Sequence, residues 1–130
     1  MHPTQPHNVL IVDDDHLIAD TLTLIFTQAG YSSRAEYSAE SALAVVSAWP
    51  PQLVITDISL QGMNGIELAK RLKETCPECR ILFLSGHDTA SNLLEADENI
   101  GHRWTILPKP TSPPKLLGKA AELLRVCAPE

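Results

Sequence analysis

Five polar residues stand where apolar runs stop: Asp13 and Asp14, Asp57, Ser85 and Lys109. Asp13 follows directly on Val9-Leu10-Ile11-Val12, and Asp57 on Leu53-Val54-Ile55-Thr56. Ser85 closes the run over 80–84, and Lys109 comes just after the run over 104–107. Short uniform apolar runs read as strands buried on both faces, the kind that parallel sheets contain. All strands of such a sheet point the same way, so their carboxyl ends share one edge, and ligands bind along it. Residues far apart in the chain would meet there. Two carboxylates about 5 Å apart repel by roughly 3 kcal/mol at an effective dielectric near 20. Such crowding persists only with a cation among the acids or a proton on one of them. An all-oxygen set with open positions suits Mg²⁺, which takes one or two carboxylates and keeps room for a phosphate. A carboxylate nucleophile, a divalent metal, a lysine and a hydroxyl are the parts that form an aspartyl phosphate.

The elements that must position these residues alternate along the chain. From His16, Leu17, Thr21 and Ile25 recur with Ile18 and Leu22 at helical spacing, which predicts the inner face of a helix ending at Gly30. A short, more exposed strand is expected over 31–37. Ser38 is a plausible N-cap for a helix over 40–49, with Ala42, Leu43, Val45 and Val46 as its apolar face. After Asp57, Gly62 and Gly65 punctuate a loop, and Ile66, Ala69 and Leu72 mark a helix fading at Thr75-Cys76-Pro77. A helix over 88–99 and a strand over 104–107, interrupted by Pro108-Lys109-Pro110, follow. The last helix starts near Pro113, with Leu116, Ala120 and Leu124 inside. Strand then helix, five times over, predicts an open parallel α/β sheet in a single domain, its core about 8–126.

Composition narrows the function. Sixteen acidic against 10 basic residues give a net charge of −6, which argues against a nucleic-acid partner and against anionic membrane surfaces. No apolar run is long enough to span a bilayer, and the N-terminus lacks the basic start and apolar run of a signal peptide. Three cysteines are too few for a disulfide framework. The expected setting is cytoplasmic.

Val9-Leu10-Ile11-Val12-Asp13-Asp14-Asp15, Ile55-Thr56-Asp57 followed by Gly62-Met63-Asn64-Gly65, Leu84-Ser85-Gly86 and Lys109-Pro110 together resemble response-regulator receiver domains, in order and approximate spacing. The resemblance implies a flavodoxin-like fold: a five-stranded parallel sheet in order 2-1-3-4-5 with five helices on both faces. It implies that Asp57 is the phosphoacceptor, taking a phosphoryl group from a sensor histidine kinase or a histidine phosphotransfer protein. Asp14 and Asp57 would bind Mg²⁺ directly with the backbone carbonyl of Ser59, and Asp13 through a water. Ser85 matches the switch hydroxyl, and Lys109 the family's lysine, its bond to Pro110 a candidate cis peptide. A phosphorylated receiver changes its binding to a downstream protein and is no enzyme beyond assisting its own phosphorylation and dephosphorylation. With no output domain expected after about Val126, the chain is similar to the stand-alone regulators of chemotaxis or to a phosphorelay shuttle.

The sequence departs from that family in places. Ile106 stands where a switch Tyr or Phe is usual, and Trp104, on the same side of the strand, lies farther from the site. The stretch 101–104 reads as an enlarged turn, Thr111 replaces a common aromatic, and Gln61 a common proline. These point to altered output with phosphorylation retained. Two alternatives stand beside this reading. One is a pseudo-receiver, a binding module not regulated by phosphorylation, which the loss of the aromatic at position 106 favours. The other is a haloacid-dehalogenase-type phosphatase using Asp13, since Asp13 and Asp15 form an Asp-x-Asp, although Leu17 stands where Thr or Val is usual and the chain is short for that fold.

Other residues have plainer readings. Cys76-Pro77-Glu78-Cys79 closes a helix before a strand, whereas a thioredoxin-type pair opens a helix after one. Cys127 is the only other thiol, so a zinc set is incomplete, and ordinary loop or half-buried cysteines are expected. His87 lies near the expected phosphoryl position, while His2, His7 and His102 read as solvated. Asp15 and His16 open the first helix, where its dipole favours the acid.

Overall fold

The computed structural model describes residues 7–60, 62–86, 105–109 and 111–127, the last three by backbone alone. The expected helix over 88–99, the turn over 101–104, Gln61, His87 and Pro110 lie outside them. Five strands form one sheet: β1 (Asn8–Val12), β2 (Ser32–Glu36), β3 (Leu53–Asp57), β4 (Arg80–Ser85) and β5 (Thr105–Pro108). Its order is β2-β1-β3-β4-β5, and every pairing is parallel. Four helices fall among the described residues: α1 (His16–Gln28), α2 (Ala39–Val46), α3 (Gly65–Thr75) and α4 (Pro113–Cys127). The sheet order that the family resemblance implies is the order observed.

Strand alternation divides the core in two. Val9, Ile11, Leu53, Ile55, Leu82, Leu84 and Leu107 point to one face, where Ala19 and Phe26 of α1 and Leu116, Ala120 and Leu124 of α4 cover them. Leu10, Val12, Val54, Ile81 and Phe83 point to the other face, under Ala39, Ala42 and Val46 of α2 and Leu68, Ala69 and Leu72 of α3. β1 and β3 are covered on both sides, which is why their sequences are uniformly apolar.

The inner face of α1 differs from the expected one. Leu17 is 75% exposed and Thr21 lies outside; Ala19 and Phe26 are buried, with Leu22 and Ile25 packed against them. Apolar residues occur nearly all round this helix, so spacing alone admits two faces. Packing decides between them, because Phe26 offers the largest area to bury and Ala19 allows α1 to lie close to β1. Three boundaries also shift. β2 is two residues shorter than expected, and α2 closes at Val46. Pro108 ends β5 without interrupting it, because an edge strand tolerates a residue that cannot donate on its open side.

Substitutions on α1 separate the two faces. Phe26→Ala is expected to cost about 3–5 kcal/mol in urea unfolding, whereas Leu17→Ala changes stability by less than about 0.5 kcal/mol. Comparable losses at both positions would contradict this packing.

Candidate functional site

Register and alternation together dictate where the acids meet. Ile11 pairs with Ile55, and Val12 with Thr56, so one further step sets Asp13 beside Asp57. Both then lie on the face of Ile11 and Ile55, at the carboxyl edge of the sheet. Leu84 pairs with Leu107 on that same face, and Lys109 lies two residues beyond Leu107. The Lys109 amide continues the ladder by donating to the Ser85 carbonyl at 2.8 Å. Its ammonium reaches Asp57 Oδ2 at 2.9 Å and Asp13 Oδ2 at 3.3 Å. The lysine stem runs beside an apolar hollow of about 490 Å³, lined also by Ile18, Leu22, Leu84 and Leu116 between α1 and α4.

The backbone fixes the other carboxylate oxygens. Asp13 Oδ1 accepts from the Asp15 amide at 2.9 Å, while Asp15 N-caps α1 by accepting from the amides of Leu17 and Ile18. Asp57 Oδ1 accepts from the amide of the exposed Ser59 at 3.2 Å in the turn after β3. That turn is pinned from above by α3. Asn64 caps the helix through the Glu67 amide, and the Gly65 amide donates to the Ile58 carbonyl at 2.9 Å. A Cβ on Gly65 would fall 2.3 Å from the Asp57 carbonyl oxygen, so only glycine admits this approach. From the sequence Gly65 reads merely as loop punctuation; its part in seating Asp57 comes from tertiary contact.

Asp13, Asp14 and Asp57 each offer a carboxylate oxygen, all within 4.8 Å of one another. Asp13 is 1% exposed and Asp57 9%. Burial pushes the Asp13 carboxyl above its usual range and the Asp57 charge adds to this, against the Asp15 amide and Lys109. Lys109 is held above its ordinary value: burial alone would lower it, but its hydrogen bond to Asp57 and the attraction of both acids prevail. Three carboxylates and one ammonium leave a net charge of −2, which a divalent cation would cancel. The donors are all oxygen and they converge on one point, as a hard cation such as Mg²⁺ requires. Ser85 and Ile106 lie on the opposite face of the sheet. Ile106 pairs with Phe83, two residues before Ser85, and packs on that side of the core.

The sign of the Asp13 shift gives a stability prediction. A carboxyl raised on folding destabilises the folded chain once ionised, so stability falls as pH rises from the unfolded value of 3.8 through the folded one. Without metal, Asp13→Asn is therefore expected to raise the melting temperature at neutral pH by about 2–5 °C. An unchanged or lowered value in chelator would contradict the electrostatic reading.

The chain has known relatives. The family model described as response regulator receiver domain matches residues 9–121. A nitrogen assimilation regulatory protein, NtrX, of Azorhizobium caulinodans is 33% identical over 125 residues, covering 92% of this chain and 27% of that protein. Response regulator MprA of Mycolicibacterium vanbaalenii is 27% identical, covering 96% of this chain and 53% of its own length. The chain thus spans between about a quarter and about half of these relatives. Among solved structures, a CheY-like receiver domain protein from Methanospirillum hungatei superposes with a TM-score of 0.84 at 27% identity, over 94% of this chain and 96% of that one. NtrX from Brucella abortus gives 0.82 at 30%, over 93% of this chain and 27% of that one. Because these regulators extend well beyond the matched region, the expectation of no nucleic-acid partner goes no further than this chain's own acidic charge. No described helix is long and apolar enough to cross a membrane. By the family model that matches most of its length, this chain belongs to the response-regulator receiver domains of two-component signalling.

Proposed function

We propose that Asp57 accepts a phosphoryl group from a histidine kinase or a phosphotransfer protein, and that the phosphorylated chain binds its downstream partner differently. The observation that carries this reading is the meeting of Asp13, Asp14 and Asp57 with the Lys109 ammonium at one buried edge of the sheet. Asp14 and Asp57 would hold Mg²⁺ with the Ser59 carbonyl, Asp13 through a water. The ion supplies charge neutralisation for the incoming phosphoryl oxygens. Asp57 attacks phosphorus with a carboxylate oxygen, and the bond to the donor's imidazole nitrogen breaks, its electron pair staying on that nitrogen. Lys109, bonded to Asp57 Oδ2 before transfer, moves its hydrogen bond to a phosphoryl oxygen. Ser85, which lies on the opposite face, would swing across the strand end to donate to another and so carry the change towards Ile106.

Asp15 supports this reading over a phosphatase that would use Asp13 and Asp15 as a pair. Its carboxylate is exposed and engaged in capping α1, and its amide serves Asp13.

Incubation with acetyl phosphate and Mg²⁺, followed by intact mass, is expected to add a single phosphoryl group, and Asp57→Asn to abolish it. Labelling that survives Asp57→Asn, or steady phosphate-ester turnover with Asp13 as acceptor, would overturn the proposal. Mg²⁺ at about 100 times its dissociation constant is expected to stabilise the chain by about 2.7 kcal/mol. Asp14→Asn should remove most of that gain in thermal unfolding.

A further inference from the structure

The Cys76-Pro77-Glu78-Cys79 segment has no part in phosphoryl chemistry, and it lies at the opposite end of the sheet, between α3 and β4. Its place after a helix excludes a thioredoxin-type catalytic role but leaves the chemistry of the pair open. Neither thiol is in a disulfide. Cys76 ends α3, and the Cys79 amide donates to the Cys76 carbonyl at 3.1 Å, closing a turn over Pro77 and Glu78. The ends of such a turn lie less than about 7 Å apart at Cα, a range that overlaps the span of about 4.4–6.8 Å that a disulfide bridges. Both side chains pack against the same apolar cluster, Cys79 fully buried and Cys76 half-buried. The turn is also held in advance. Pro77 fixes its own φ, and the Lys73 ammonium, one turn back on α3, donates to the Cys79 carbonyl at 3.1 Å and the Pro77 carbonyl at 3.5 Å.

We infer that Cys76 and Cys79 are a thiol–disulfide modification site, closed by a low-molecular-weight disulfide such as glutathione disulfide. The half-buried Cys76 meets the oxidant first. Its thiolate attacks one sulfur of glutathione disulfide, forming a mixed disulfide and releasing one glutathione thiolate. The Cys79 thiolate then attacks the Cys76 sulfur, breaking the mixed bond and releasing the second glutathione. The two protons lost by the protein thiols go to the two glutathione thiolates, so the protein is oxidised by two electrons and the reagent reduced to two thiols. Closing the bond gives up a weak contact from the Cys76 thiol to the Pro51 carbonyl at 3.8 Å.

The full chain, treated with excess glutathione disulfide and alkylated, is expected to lose two hydrogens in mass and two of its three alkylatable thiols. Proteolysis after Glu78 splits the turn, so a bridged pair leaves the two peptides joined until reductant is added. A persistent glutathione adduct, a bridge involving Cys127, or separate peptides without reductant would overturn the inference. Cys76→Ser should abolish the bridge while leaving acetyl phosphate labelling unchanged. If that variant does not fold, the peptide map of the unaltered chain decides alone.

Discussion

Three negative charges gathered within 4.8 Å are the constraint around which this molecule is organised. At that separation each pair repels by about 3–4 kcal/mol at an effective dielectric near 20, a sizeable fraction of a domain's net stability. The fold offsets part of this with Lys109, which touches Asp13 and Asp57 together, and with the amides of Asp15 and Ser59. The compensation is incomplete, as the raised Asp13 carboxyl shows. A divalent cation would cancel the net charge of −2 left in the pocket, and the proposed phosphoryl transfer would draw on that neutralisation.

Holding like charges together demands a stiff frame, and stiffness here comes from the sheet. Asp13 and Asp57 extend two central strands that are covered on both faces, so neither backbone can retreat without opening the core. α3 adds a second restraint, because Gly65 presses on the carbonyl of Asp57 itself. Lys109 comes from an edge strand and reaches inward on a flexible stem. The rigid partners thus carry the repelling charges, and the adaptable partner carries the opposite one. In the proposed transfer, such a site would pass its lysine contact from a carboxylate to a phosphoryl oxygen without disturbing the strands.

Much of this was legible in the sequence, for a physical reason. Buried parallel strands are uniformly apolar, so Val9 to Val12 and Leu53 to Thr56 announce themselves, and the polar residue that ends each run marks the functional edge. Sequence spacing leaves the inner face of α1 ambiguous because Leu17 and Leu24 place apolar surface on its outside. Periodicity reports spacing, and only the neighbours determine which of two stripes is buried. Gly65 and Asn64 were underrated for a related reason, since close approach and capping belong to the assembled structure. That Lys109 ends near the acids follows from topology, but its contacts with Asp57 and Asp13 required coordinates.

The sheet also separates two chemistries. β4 runs six residues from beside the Cys76–Cys79 turn to Ser85, and at about 3.3 Å per residue its end residues are about 17 Å apart. That exceeds the Debye length of about 8 Å at physiological salt, so a change of charge at one end is not felt directly at the other. Any influence of the thiol pair on the acidic site must be mechanical, through α3, whose first residue presses on Asp57 and whose last adjoins Cys76. Tightening the turn would leave the charges where they are and restrain the helix that seats Asp57. The proposed oxidation at one end and the proposed phosphoryl transfer at the other would therefore be chemically independent, sharing only the positioning of α3.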